Sequence, residues 1–212
     1  METDILNNNK VYLQGVVESV PEYNHTVFDE NFYTFNLRVP RLSGAVDILP
    51  ILISEKLLTV YEVNVGEKLA IRGQFRSHNS LVDGRSKLIL TIFCREVVEW
   101  KDEANPNVIE LDGYLCRPPI YRTTPFSREI CDMLLAVNRN YDKSDYIPCI
   151  AWGRNASFVR SLPVGSAIKL TGRIQSREYD KKIEGTDEVV KKTAYEVSAS
   201  NLSWVNSVSV GV

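Results

Sequence analysis

An all-β chain made of two copies of one small barrel is the fold class that the sequence predicts. Three observations lead to this prediction: segments that recur at a fixed spacing, alternating apolar residues in each copy, and a short helical segment at the same place in both copies. Self-similarity at a fixed period indicates a duplicated structural unit. The 212 residues are enough for two small domains, each with its own core.

The recurring segments lie 98 or 99 residues apart, and this offset holds across five segments of the chain. Three of the pairs are Leu13–Gly15 with Leu111–Gly113, Asp47 with Asp145, and Gly73 with Gly172. A polar stretch ending in Asn-Pro, Lys101–Pro106, is typical of a linker. We therefore predict a first domain at residues 1–104, a second at 105–206, and a short tail at 207–212.

Strand signals dominate each copy. Tyr33, Phe35, Leu37 and Val39 alternate with their neighbours at a period of two, which is the spacing of a half-buried strand. Helical segments are predicted at 54–61 and 155–161, between the third and fourth strands of each copy. Five strands with a helix at this point form an OB-fold, a five-stranded Greek-key barrel whose strand face binds oligonucleotides or oligosaccharides.

The outer face of the second barrel combines aromatic and basic side chains. Successive residues of a strand point to opposite faces, so inward Ile147 and Cys149 leave Tyr146, Ile150 and Trp152 pointing outward. Applied to the fourth strand and to the turn before the third, the same reasoning adds Arg173, Arg177, Tyr179, Arg139 and Tyr141. Aromatic rings stack on the bases of a single strand and cations follow its phosphates. The alternative is that these residues merely favour strands and solvate a surface.

The second copy also resembles the bacterial single-stranded DNA-binding protein family, over most of 107–204. The resemblance depends on segments in the same order, among them Leu135–Arg139, Ser144–Arg154 and Gly172–Tyr179. It implies sequence-tolerant binding of single-stranded DNA in replication, recombination or repair. The implied base-stacking residues are Tyr141, Tyr146, Trp152 and Tyr179. The implied phosphate partners are Arg122, Arg139, Arg154, Arg173 and Arg177.

The chain departs from that family in two ways. The family usually has an acidic tail that recruits replication and repair enzymes. Residues 206–212 of this chain are neutral, so recruitment of replication proteins by an acidic tail is not expected. Members of the family usually have one OB-fold per chain and form a tetramer, whereas this chain is predicted to have two OB-folds. We therefore expect a homo-oligomer, a dimer that supplies four OB-folds.

The first copy lacks the aromatic residues at the matching positions, which hold Ser43, Ile48, Ser54 and Ser80. Residues 1–104 have a net charge of −4, against +2 for 105–212. An exposed apolar stripe of Ile48 and Leu52 is typical of a protein contact, so we expect a degenerate OB-fold used in assembly or partner binding. The alternative is that the loop at 21–30, with its Phe28, covers the stripe.

Other functions have little support in the sequence. Phosphate-binding glycine loops, a serine elbow and zinc motifs are absent, so no enzyme, cofactor or metal site is expected. Four cysteines without C-x-x-C spacing indicate free thiols in a reducing compartment, the bacterial cytoplasm. No apolar run approaches the ~20 residues of a membrane span. The competing interpretation is an OB-fold that binds only proteins, such as a primosome-type accessory or a mobile-element protein.

Overall fold

The fold is taken from a computed structural model, which describes residues 7–82, 84–102, 104–182 and 189–205. Each copy of the repeat contributes six strands and one short helix. The first copy consists of β1 (Asn9–Val17), β2 (Glu22–Val27), β3 (Glu30–Pro40), β4 (Val46–Ser54), α1 (Glu55–Val60), β5 (Lys68–Val82) and β6 (Arg85–Val98). The second consists of β7 (Asn107–Leu115), β8 (Ile120–Thr123), β9 (Glu129–Arg139), β10 (Lys143–Trp152), α2 (Arg154–Val159), β11 (Ala167–Lys182) and β12 (Val189–Val205).

Two closed barrels of the same topology follow from the strand pairing. In the first, β1 is antiparallel to both β3 and β5, and a parallel pairing of β4 with β6 closes the barrel. The second repeats this order with β7, β9, β11, β10 and β12. The predicted tandem OB-folds are therefore confirmed. The short strands β2 and β8 were not predicted; they pair with the edges of β3 and β9 and add a sixth strand to each copy.

Both predicted helices are present between the third and fourth barrel strands. Helix α1 begins after Ser54, whose hydroxyl accepts a hydrogen bond from the backbone N–H of Leu57 at 3.4 Å. Helix α2 follows Gly153, which has a φ of 52° and provides no side-chain cap. Each helix is only six residues long, slightly shorter than the sequence predicts.

Close approach of two backbones explains why the glycines recur with the repeat. A Cβ on Gly113 would lie 2.7 Å from the carbonyl oxygen of Ala136, and one on Gly172 would collide with the carbonyl of Ser198. The second glycine lies beside a register shift in the β11–β12 pairing, where the strands bend around the barrel. These positions exclude any side chain because the backbone of the neighbouring strand passes too close for a Cβ.

The two barrels join edge to edge through their first strands. β1 pairs antiparallel with β7, from Asn9 opposite Leu111 to Leu13 opposite Asn107, so all twelve strands form one continuous sheet. The predicted linker lies against this seam, since the side-chain amide of Gln14 donates to the carbonyl of Lys101 at 2.9 Å. The barrels therefore pack as a pair, an arrangement that the repeat alone does not predict.

A reciprocal pair of polar contacts strengthens the seam. The carboxylate of Asp47 accepts the backbone N–H of Ser176 at 2.7 Å, and that of Asp145 accepts the backbone N–H of Ser77 at 2.7 Å. Both aspartates are almost completely buried, and each lies at the start of a third barrel strand. The repeated pair Asp47 and Asp145, identified in the sequence, therefore links each barrel to the other.

Two details of the predicted outer faces change in the structure. Ile150, predicted to point outward with Trp152, is only 4% exposed, because it lies on a central strand between β9 and β12. Phe28 is 99% exposed at the tip of the β2–β3 hairpin, so its ring does not cover Ile48 or Leu52, which are half-buried. The predicted tail at 207–212 lies outside the described residues. Within the described ranges, no helix has the length and apolar character needed to cross a membrane.

Candidate nucleic-acid interface

A groove on the outer face of the second barrel contains Trp152 and Arg173, as strand alternation predicts. It has a volume of about 430 Å³ and includes Gln175, Ser198 and Ser200 in its wall. The indole N–H of Trp152 donates to the hydroxyl of Ser198 at 3.0 Å, which holds the half-buried ring in one orientation. A flat ring held beside a cation is the arrangement that stacks on a base while a charge meets its phosphate.

Two further arginines line the same groove and were not predicted. Arg128 comes from the turn that leads into β9, outside any alternating pattern. Arg41 comes from the first barrel, and reaches the groove because its guanidinium is held by Asp47 at 2.6 and 2.7 Å. Strand alternation could not have indicated either residue, since one lies in a turn and the other crosses the seam.

Burial lowers the pKa of the Arg173 guanidinium, and the charge of nearby Arg41 lowers it further, while Asp47 opposes the shift. Its Nε has no hydrogen-bond partner among the described residues, although one of its terminal nitrogens donates to Gln175 at 3.1 Å. An arginine in this state is a favourable partner for an anion, because a bound phosphate would compensate a charge that burial leaves poorly solvated.

The predicted tyrosines Tyr141 and Tyr146 lie toward the seam between the barrels. Tyr141 is 83% exposed in the β9–β10 turn, where it and Asp142 adopt positive φ values of 63° and 52°. Tyr146 lies beside Arg139 and His78, in a separate groove shared with the first barrel. Both rings are therefore accessible, but neither shares the groove of Trp152.

Tyr179 and Arg177 form a pair on the exposed hairpin of β11 and β12. The guanidinium carbon of Arg177 lies 5.9 Å from the centre of the Tyr179 ring, within cation–π distance. The two strands continue their pairing as far as Lys182 opposite Val189, so the hairpin extends beyond the barrel. This places the fourth predicted aromatic residue on a projecting ribbon.

The remaining predicted arginines have different surroundings. Arg122 makes a two-point contact with Asp132 at 2.6 and 3.2 Å, and this hydrogen bonding raises the pKa of Arg122. Its charge is therefore largely matched within the protein. Arg154 is exposed at the first turn of α2. Of the nine predicted residues, Trp152 and Arg173 share one groove, Tyr146 and Arg139 share another, and Tyr179 and Arg177 pair on the hairpin.

Potential metal ligands and cysteine thiols were also located among the described residues. No group of three or more His, Cys, Asp or Glu side chains there could hold a metal ion. Burial raises the pKa of the Cys94 thiol to about 12, and also raises the pKa of Cys131 and Cys149. These thiols are strand residues of the barrel cores.

Comparison with known proteins shows which family this chain resembles in sequence. Residues 106–205 match the model of the single-strand binding protein family. A single-stranded DNA-binding protein of Clostridium tetani is 32% identical over 112 residues, which cover 50% of this chain and 76% of that one. Single-stranded DNA-binding protein 1 of Staphylococcus aureus is 37% identical over 81 residues, or 35% of this chain and 48% of that protein. The chain thus spans about half the length of the Staphylococcus relative.

The fold of the whole chain also has a counterpart among solved structures. The crystal structure of the wild-type single-stranded DNA binding protein from Thermus aquaticus superimposes with a TM-score of 0.74, at 18% identity, over 93% of this chain and 92% of that one. With only 18% identical residues, this superposition shows a shared fold and nothing more. The Clostridium tetani relative, with the family match over residues 106–205, shows that the chain belongs to the single-strand binding protein family.

Proposed function

We propose that the protein binds single-stranded DNA through the outer face of its second OB-fold, with little preference for sequence. Such binding would coat exposed single strands in replication, recombination or repair, without catalysis. The groove that unites Trp152 with Arg173, Arg128 and Arg41 is the observation that supports this most directly. The names of the Clostridium tetani and Staphylococcus aureus relatives agree with it.

The proposed interface has one groove and two outlying elements. Trp152 would stack on a base in the groove, with Arg173 and Arg128 on the phosphates. Tyr141 and Tyr146, with Arg139, would contact the strand where it approaches the seam. Tyr179 and Arg177, with Arg122 and Arg154, would contact it at the hairpin and the barrel edge, where exposed aromatic and basic side chains suit a flexible single strand.

The quenching of tryptophan fluorescence by oligo-dT tests this proposal. Trp204 is 47% exposed and would add its own signal, so the measurement uses a Trp100→Phe, Trp204→Phe background in which Trp152 is the sole tryptophan. Strong quenching that titrates with oligo-dT is expected. Its absence, with no binding by filter or anisotropy assay, would leave a protein-binding OB module as the better interpretation.

The first OB-fold is proposed to act in assembly. It pairs with the second barrel through β1 and β7 and lends Arg41 to the groove, so it completes the binding face. We further propose that two chains associate to supply four OB-folds, as the family resemblance implies. We propose the bacterial cytoplasm as the compartment, since the four cysteines are free thiols.

A further inference from the structure

A polar pocket lies at the seam, outside the groove of Trp152. This junction pocket has a volume of about 200 Å³. Its wall is formed by three arginines, one carboxylate, a tyrosine and several side-chain amides from both barrels: Arg76, Arg95, Arg139, Asp145, Tyr141, Gln74, Asn8, Asn9, Asn138 and Asn140. Arginine and amide groups are the donors that proteins use to hold phosphate oxygens.

Among the described residues, the wall of the junction pocket has three arginines and a single carboxylate, so positive charge is in excess there. Arg76 and Arg139 each approach the buried carboxylate of Asp145, at 3.6 and 3.5 Å, while Arg95 donates to Gln74 at 3.1 Å. Burial, together with the charges of Arg139 and Arg95, lowers the pKa of Arg76 to about 10, against the opposing effect of Asp145. An anion in the pocket would relieve this repulsion.

The opposite end of the seam shows that the contact between the barrels does not require this charge. The repeat places Ser43 where the junction pocket has Tyr141, and the strand pairing places Ser200 where it has Arg95. A pocket also lies there, but its only arginines are Arg41 and Arg173. The junction pocket has therefore gained a cation and an aromatic ring that the matching structural position lacks.

A row of rings leads from the junction pocket across the outer face of the first barrel. The guanidinium carbon of Arg76 lies 5.8 Å from the ring centre of Phe93, which lies 6.0 Å from that of Phe32. His25 stacks on Phe32 at 5.2 Å. Phe93 points outward because its neighbours Ile92 and Cys94 are buried in the core. The first barrel thus has aromatic residues on its outer face, at positions different from those of the second.

We propose that the junction pocket binds a phosphate of single-stranded nucleic acid, and that the strand continues from Tyr141 of the second barrel onto Phe93 and Phe32 of the first. This inference rests on the proposed function. It extends DNA binding to the first barrel, which lacks aromatic residues at the positions that match the stacking residues of the second. The ligand class is a phosphodiester strand long enough to cross the seam.

Two substitutions that copy the second barrel test the inference in the full chain. Arg95→Ser and Phe93→Ser place in the first barrel the residues that the second has at the paired positions, Ser200 and Ser198. Lys56→Ser removes an exposed charge from α1, away from the pocket, and is the matched control. Affinity is measured for dT of about 10 nucleotides, within reach of one OB-fold, and of about 30, enough to cross the seam.

We expect Arg95→Ser and Phe93→Ser each to weaken binding of the longer strand about five-fold or more, and to leave the shorter one unchanged. Arg95→Ser should also make the salt dependence of the longer strand shallower, by about 0.7 in log–log slope. Equal losses for both lengths, or no loss beyond that of Lys56→Ser, would overturn the inference. Failure of the unsubstituted protein to bind either length would instead overturn the proposed function. Unfolding curves identify any variant that acts through lost stability.

Discussion

The two buried aspartates of the seam should differ in how much stability the protein loses when their charge is removed. Asp47 accepts two hydrogen bonds from Arg41, at 2.6 and 2.7 Å, and two from Ser176, at 2.7 and 3.1 Å. Asp145, at the equivalent position, accepts the backbone N–H of Ser77 and makes longer contacts with arginines. One of its carboxylate oxygens has no hydrogen-bond partner among the described residues.

This difference determines the pKa of each carboxyl group. Burial would raise the pKa of Asp47, but the hydrogen bonds from Arg41 and Ser176 outweigh it and hold the pKa below its usual value. For Asp145 burial prevails and the pKa is raised, although Ser77, Arg139 and Arg76 oppose it. The fold therefore stabilises the charged form of Asp47 and the neutral form of Asp145.

Asp47→Asn should lower the free energy of unfolding by about 2–4 kcal/mol at pH 7, because it removes the negative charge that accepts several short hydrogen bonds. Asp145→Asn should cost less than about 1 kcal/mol, since it keeps an acceptor for Ser77 and removes a charge that is poorly compensated. Urea unfolding of both variants beside the unsubstituted protein measures the difference.

The pH dependence has a definite sign for each variant. The contribution of the Asp47 charge is present above the ordinary carboxyl pKa, about 3.9, and is lost as the pH falls through the lower folded value. The deficit of Asp47→Asn should therefore shrink in strong acid. The cost of ionising Asp145 develops as the pH rises above about 3.9 toward the raised folded value, and disappears in acid. Equal losses for the two variants at pH 7, or a larger loss for Asp145→Asn, would refute this reasoning.

Three further outcomes are expected. Trp152→Ala and Tyr179→Ala should each weaken oligo-dT binding by about 1–3 kcal/mol in fluorescence titrations. Tyr61, at the end of α1, is about as exposed as Tyr179, and Tyr61→Ala should leave the oligo-dT affinity unchanged. Asp145→Asn should tighten binding of a dT strand that crosses the seam, because it removes the carboxylate that competes with phosphate; weaker binding would contradict this. Light scattering after size exclusion should give twice the mass of one chain at micromolar concentration, and a monomer would exclude the dimer.

The repeat and the strand alternation were sufficient to predict the barrels, their helices and the neighbourhood of Trp152 and Arg173. These features follow from local periodicity, which a single sequence displays directly. Contacts across the seam have no such period, so neither the β1–β7 pairing nor the reach of Arg41 could be predicted. Phe93 was within reach of the same reasoning, since it alternates with two core residues on the last strand of the first barrel.

Some residues were predicted in the correct place but with an incomplete account of their surroundings. Ile150 has outward parity, yet it is buried on a strand that lies between β9 and β12. Arg122 lies on the surface, but its charge is engaged by Asp132. Alternation gives the direction of a side chain and says nothing of what lies beside it on adjacent strands, because strand order is a property of the tertiary fold.

The continuous sheet through β1 and β7 has a consequence for how the two halves can diverge. Two separate identical chains that paired in this way would have the same residues on both sides of their symmetry axis, so any change would appear twice. Here the partners are joined by the stretch 101–106, and their pairing does not weaken on dilution. The first half can therefore have Asp47 with short hydrogen bonds, where the second has the poorly compensated Asp145. Likewise, the first half has Arg95 where the second has Ser200. Since the two ends of the seam are not equivalent, a strand bound across it as proposed would have a preferred 5′-to-3′ orientation.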